Sequence, residues 1–158
     1  TGDRLDRDIG ELFILVISEI TEAMEGERKG LMDDKLPHRP MAEVEMADTV
    51  IRAFDIAGGF DLDLEDDLST APILSDLGNK GHMLFRMTAI AQASGLALIE
   101  GDKRLAGQYL GSLIVAIREY CGIHGYDLEG AFHEKRAFNA IREDHKAEAR
   151  LRAGGKKW

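Results

Sequence analysis

The chain has 158 residues, 44% of them apolar and 31% charged, with a net charge of −9. That length is enough for one compact domain with its own core, and an acidic body argues against a nucleic-acid-binding surface. No apolar run approaches the about 20 residues of a membrane span, so a membrane is not an expected partner either.

Three prolines and 6% aromatics, beside abundant Ala, Leu, Ile, Glu, Asp and Arg, favour an all-α class. Helix one is expected from Asp8 to Lys29, stopped by Gly30, with Arg28 and Lys29 suiting its C-terminal dipole. Leu31 to Pro40 reads as a loop, because Pro37 and Pro40 oppose helix. Helix two follows from Met41 to Ala57, ended by Gly58-Gly59. Residues 60–80 read as irregular and acidic, with Asp61, Asp63, Glu65, Asp66 and Asp67. Helix three is expected over Gly81 to Ile99, helix four over Lys103 to Cys121 and helix five over Leu128 to Lys146, with Gly101 and Gly122 at the junctions. The expected architecture is a bundle of about five helices in a single domain over residues 1–146. Residues 147–158 are expected to form a basic, flexible tail. Residues 135–158 hold eight basic and three acidic residues, a balance of +5, against 12 basic and 26 acidic before them, −14.

A weak internal repeat supports two helical hairpins. Ile51-Arg52 and Gly59-Phe60-Asp61-Leu62 match Ile117-Arg118 and Gly125-Tyr126-Asp127-Leu128 at a constant offset of 66. The plainer explanation is that Gly-aromatic-Asp-Leu is a common helix stop followed by a new cap. The acids do not repeat: Glu45 and Asp48 correspond to Gly111 and Ile114.

Two carboxylate pairs carry the chemistry. Glu19-Ile-Thr-Glu22 lies in helix one and Glu45-Met-Ala-Asp48 in helix two. Acids three apart point the same way on a helix of about 3.6 residues per turn. Glu19 and Glu22 share the sector of Leu12, Leu15, Val16 and Ala23, the apolar face. Carboxylates aimed at a core are costly unless paired, and a divalent cation pairs them. Glu45 and Asp48 share a sector with Arg52 and Asp55, so this pair could be a solvated stripe with an ordinary Asp48–Arg52 ion pair. A helical hairpin could bring both pairs to one place.

Helix five adds Lys135, Asn139, Arg142 and Lys146 at i, i+4, i+7 and i+11, with His145 alongside. Such a stripe suits a polyphosphate, or it is a solvated amphipathic face. None of the five histidines sits in an E-x-x-H or H-E-x-x-H arrangement, against a ferritin-like di-iron bundle and a zinc protease. Glycine-loop phosphate motifs and a serine nucleophile elbow are missing. Cys121 is the single cysteine, so no disulfide forms within one chain, and a polar start carries no secretory signal. A cytoplasmic protein is expected.

Ser18-Glu-Ile-Thr-Glu22-Ala, a Gly-ended helix, a loop and Glu45-Met-Ala-Asp48 resemble the MazG-type all-α nucleoside triphosphate pyrophosphohydrolases, which share an E-x-x-E…E-x-x-D pattern. The stretch Glu134-Lys-Arg-Ala-Phe-Asn139-Ala-Ile-Arg142-Glu-Asp-His145-Lys146, ending in Gly154-Gly-Lys-Lys-Trp158, resembles the phage-encoded branch that includes MazZ-type enzymes acting on dGTP in the pathway to 2-aminoadenine DNA. The resemblance implies hydrolysis of a (d)NTP, a purine one such as dGTP, GTP or dATP, to the monophosphate and pyrophosphate, in the host cytoplasm for a phage enzyme. It implies that Glu19, Glu22, Glu45 and Asp48 hold Mg²⁺ or Mn²⁺, that Glu22, or otherwise Glu19, accepts the water's proton, and that Lys135, Asn139, Arg142, His145 and Lys146 face the phosphates.

Helices three and four are unusually apolar, and Ala89, Ala91, Ala93, Ser94, Gly95 and Ala97 permit close helix approach. A homodimer or homotetramer with these helices in its interface is expected, and the family resemblance implies the same. Two other readings remain: a non-catalytic helical interaction module with a structural cation, and an acidic-loop calcium binder at Asp61, Asp63, Glu65, Asp66 and Asp67, which lacks the spacing of an EF-hand loop.

Overall fold

The computed structural model describes residues 6–64 and 79–142. Their regular structure is five α-helices: α1 Ile9–Lys29, α2 Met41–Phe60, α3 Lys80–Ile99, α4 Lys103–His124 and α5 Leu128–Ile141. The tail at 147–158 and the acids Glu65, Asp66 and Asp67 lie outside the described residues.

Local chemistry sets most helix ends. Asp8 caps α1 by accepting from the Glu11 amide at 2.9 Å, and Asn79, Asp102 and Asp127 cap α3, α4 and α5 in the same way. Gly30 and Gly125 close α1 and α4 in the left-handed region, at φ 63° and 71°. Three ends differ from expectation, the first being α4, which runs through Gly122 to His124 instead of stopping at Cys121. Gly58 and Gly59 lie inside α2, which runs on to the buried Phe60 and stops at Asp61 in the left-handed region, φ 56°. Burying the Phe60 ring offsets the helix-weakening effect of the glycines. The repeat therefore diverges in structure: Gly125 ends a helix, whereas Gly59 continues one. At the other end, α5 stops at Ile141 and Arg142 is extended, φ −63° and ψ 132°.

The α1–α2 loop is braced internally. The buried Asp33 carboxylate accepts from the Lys35 and Leu36 amides at 2.9 and 2.7 Å, and Met32 and Pro40 form an isolated bridge. In the bundle, α1 packs on α2 and α3, α2 also on α4 and α5, and α3 on α4. This is two hairpins face to face, with α5 laid against α2. Glycine permits two of the close approaches. A Cβ on Gly26 would sit 2.9 Å from Met41 Cβ, and one on Gly95 2.9 Å from Phe13 Cγ. The core between the hairpins holds Val16, Ile20, Met46, Met83, Met87, Leu110, Leu113 and Ile117, all essentially inaccessible. Each such side chain contributes roughly 1.5–3 kcal/mol by leaving water.

Most of the apolar character of α4 is spent inside the domain: Ala106, Leu110, Leu113, Ala116 and Ile117 are buried, and Ile123 near its end is exposed. Helix α3 differs. Phe85, Leu96 and Ile99 are exposed, at 73%, 53% and 57%, along one stripe. Among the described residues no helix is long and apolar enough to cross a membrane.

Candidate metal centre

The α1–α2 hairpin brings the carboxylate pairs together, on the side of α2 against which α5 packs. Glu19, Glu22 and Glu45 each offer an oxygen within 4.8 Å of the others. Their depths differ from the expectation. Glu19 is 7% exposed and Glu45 6%, while Glu22 is exposed at the rim. Glu22 sits about 60° further round α1 than Glu19, past the edge of the buried arc. Glu45, which could have belonged to a solvated stripe, is the deeper partner. The Glu45 carboxyl is pushed up to about 9, first by burial, then by a hydrogen bond with Glu19 and by the charges of Asp48, Glu19 and Glu22. Glu22 is raised as well, by partial burial and then Glu19, with the Lys35 and Arg52 charges pulling the other way.

Asp48 stands one turn along α2, and its partner is Lys135 of α5. The Lys135 ammonium lies 2.8 Å from Asp48 Oδ2, and Lys135 is 2% exposed. Burial alone would lower that ammonium; Asp48, with Asp33 and Glu45 adding, outweighs it and holds the charge. Burial raises the Asp48 carboxyl, partly countered by Lys135. Lys135, expected on an open phosphate-facing stripe, is thus an internal cation sealed against the acids. The continuous stripe is broken at Arg142, which has left the helix. The Asn139 Oδ1 is buried without a hydrogen-bond partner. Lys146 and His145 lie outside the described residues.

Arg52 completes the cluster. Where the solvated-stripe alternative paired Asp48 with Arg52, the Arg52 Nε instead donates across the hairpin to Glu19 Oε1. Two further polar nodes hold the elements around the site. Arg39, at the end of the α1–α2 loop, donates from Nε and Nη2 to the two Glu134 oxygens, each at 2.9 Å, and from Nη1 to Glu43 at 2.7 Å. His38 meets the same Glu134 at 2.7 Å, and Glu43 accepts from the Asp127 amide at 2.8 Å. The node ties loop, α2 and α5 together next to Lys135. At the far end of α1, Glu27 accepts from Tyr120 at 2.8 Å and also from Tyr126 and Lys80. Burial works to raise Glu27, and these three donors hold it below its ordinary range.

Hard oxygen donors converging from two helices suit a hard divalent cation. Burial, and then the neighbouring acids, raise the Glu45 carboxyl, and a divalent cation among these oxygens would act in the opposite direction. Asp61 and Asp63, from the acidic-loop alternative, line a shallow pocket with Lys103, Arg104 and Gln108, where cations already stand beside the acids. No family model, curated protein or solved structure matches the chain.

Proposed function

We propose that the protein is a nucleoside triphosphate pyrophosphohydrolase that uses Mg²⁺ or Mn²⁺, with a purine (d)NTP as its substrate class. The observation that carries this reading is the convergence of Glu19, Glu22 and Glu45 from two helices, at the positions of the E-x-x-E…E-x-x-D pattern. Glu19, Glu22 and Glu45 would hold the cation, with Asp48 beside them. A bound divalent cation there supplies positive charge against the phosphate oxygens and acidifies water.

The protein's own groups account for the rest. Glu22 is the accessible carboxylate of the three, with a raised proton affinity, and it takes the proton as water adds to phosphorus. The bridging P–O bond breaks and pyrophosphate leaves with the bond's electrons. The Lys135–Asp48 pair keeps one fixed, buried cation beside the acids. Arg142, at the α5 terminus, is the candidate for charge on the leaving group. The exposed stripe on α3 supports a homodimer or homotetramer through that face.

The same Lys135–Asp48 pair favours a second reading, in which the acids and a structural cation hold α1, α2 and α5 together in a non-catalytic module. A panel of (d)NTPs with Mg²⁺ separates the two. Turnover by wild type that Glu22→Gln and Asp48→Asn abolish, with unchanged helicity, supports hydrolysis. Full activity of both variants at saturating Mg²⁺ refutes the site.

A further inference from the structure

Two basic side chains are bonded to carboxylates of this centre, and they are held differently. Lys135 is sealed: its side chain is 3% exposed and bonded to Asp48. Arg52 stands at the mouth. Its side chain is 39% exposed, and it bonds through Nε to Glu19 Oε1. Glu19 is one of the three converging carboxylates. A guanidinium and a divalent cation therefore compete for the same Glu19 oxygens, since both need their lone pairs and charge. Removing Lys135 from Asp48 would leave a buried charge unpaired. Moving Arg52 away from Glu19 exposes the guanidinium to solvent, where it is well solvated.

We infer that Arg52 is the displaceable counter-ion of this centre: it holds Glu19 while no divalent cation is bound, and it is released towards solvent, beside the acids, to bind substrate phosphate when one is. The inference rests on the reading of the site proposed above and adds a role for Arg52 within it. Arg52 follows Asp48 by one helical turn, and Asp55 follows it by nearly another, so its long side chain has a polar edge of α2 along which to swing. A planar guanidinium freed there offers paired donors to a phosphate. Exchange of one cation for another keeps the cluster's charge nearly constant, and it makes the phosphate-binding group available once the cation is in place.

The test uses the whole protein and needs no turnover. Mn²⁺ binding is measured by titration calorimetry for wild type, Arg52→Gln and Arg52→Lys, followed by inorganic pyrophosphate binding at saturating Mn²⁺. Arg52→Gln is expected to bind Mn²⁺ about two- to fivefold more tightly than wild type, the range of a partly exposed ion pair. The same variant should bind pyrophosphate about tenfold or more weakly. Lys35→Gln removes a charge that acts on Glu22 through space and sets the size of a pure charge effect; the Arg52→Gln gain should exceed it and persist at 0.5 M KCl. Arg52→Lys, which keeps the charge and has no planar fork, should fall between wild type and Arg52→Gln for pyrophosphate. Unchanged or weaker Mn²⁺ binding by a folded Arg52→Gln overturns the inference and leaves the metal centre standing. If wild type binds no Mn²⁺, the proposed function fails, and this inference with it.

Discussion

Lys135 and Glu22 illustrate how position decides what an ionisable side chain can do. Lys135 lies on the buried side of α5, 2.8 Å from Asp48. Truncating it leaves Asp48 beside Glu19 and the other acids without its bonded partner, with only the through-space charge of Arg52 opposing them. Lys135→Met should therefore destabilise the protein by about 3–5 kcal/mol in urea unfolding, the cost of breaking a buried pair from one side. A loss below about 1 kcal/mol would mean that Asp48 is solvated after all. Glu22, at the rim, should behave oppositely. Glu22→Gln should lower kcat by at least about 100-fold if it is the proton acceptor, with the melting temperature in EDTA unchanged or higher, because it removes one of several crowded acids. A variant with normal kcat would assign the proton to another group. The sequence placed Glu19 and Glu22 in one apolar sector, and only Glu19 is buried. Periodicity locates a sector to within about 60°, and the edge of a buried arc is narrower than that.

At the scale of elements, the legible features are those set by neighbours in sequence. Gly30 as a stop, and Gly125 with Asp127 as a stop followed by a cap, depend on side chains or backbone close in sequence, and Asp8 and Asp102 cap by the same local rule. The end of α2 depends on burial of Phe60 by other helices, and no local signal reports it. The Arg39–Glu134 clasp joins residues 95 apart, so nothing in the sequence pairs them. That clasp has a pH signature. Hydrogen bonds from Arg39 and His38 hold the Glu134 carboxyl down to about 2. A carboxylate with a depressed folded value contributes stability above its unfolded value near 4.5, and that contribution is lost as pH falls through about 2. The melting temperature should drop between pH 5 and pH 2, and Glu134→Gln should flatten that limb while being less stable at pH 7. Identical acid limbs in both proteins would show that the clasp does not hold α5. The α1–α3 contact makes a separate prediction. Gly95→Ala puts a methyl against Phe13 Cγ and should cost about 1–3 kcal/mol by overpacking, despite alanine's better helix propensity; a stabilised variant would mean that Phe13 moves aside freely.

For the whole molecule, the all-α bundle followed from composition and periodicity, because five amphipathic or apolar segments in an acidic chain leave few other ways to bury a core. The proposed assembly face was expected on both apolar helices; most of the apolar side chains of α4 are buried in the core, whereas α3 keeps Phe85, Leu96 and Ile99 outside. Ile14 and Met24 of the antiparallel α1 are exposed too. Light scattering at low micromolar concentration should give a dimer or tetramer, and Phe85→Glu should shift it towards the 17.5 kDa monomer. A fully active monomeric wild type would remove this part of the account.

The central claim is that the acid cluster serves pyrophosphate release, and ³¹P NMR of a purine deoxynucleoside triphosphate incubated with the protein and Mg²⁺ tests it most directly. The expected spectrum gains monophosphate and pyrophosphate in equal amounts and stays unchanged for Glu22→Gln or with EDTA. Orthophosphate and diphosphate as the products, or an intact triphosphate with the wild-type protein across the (d)NTP panel, would contradict it.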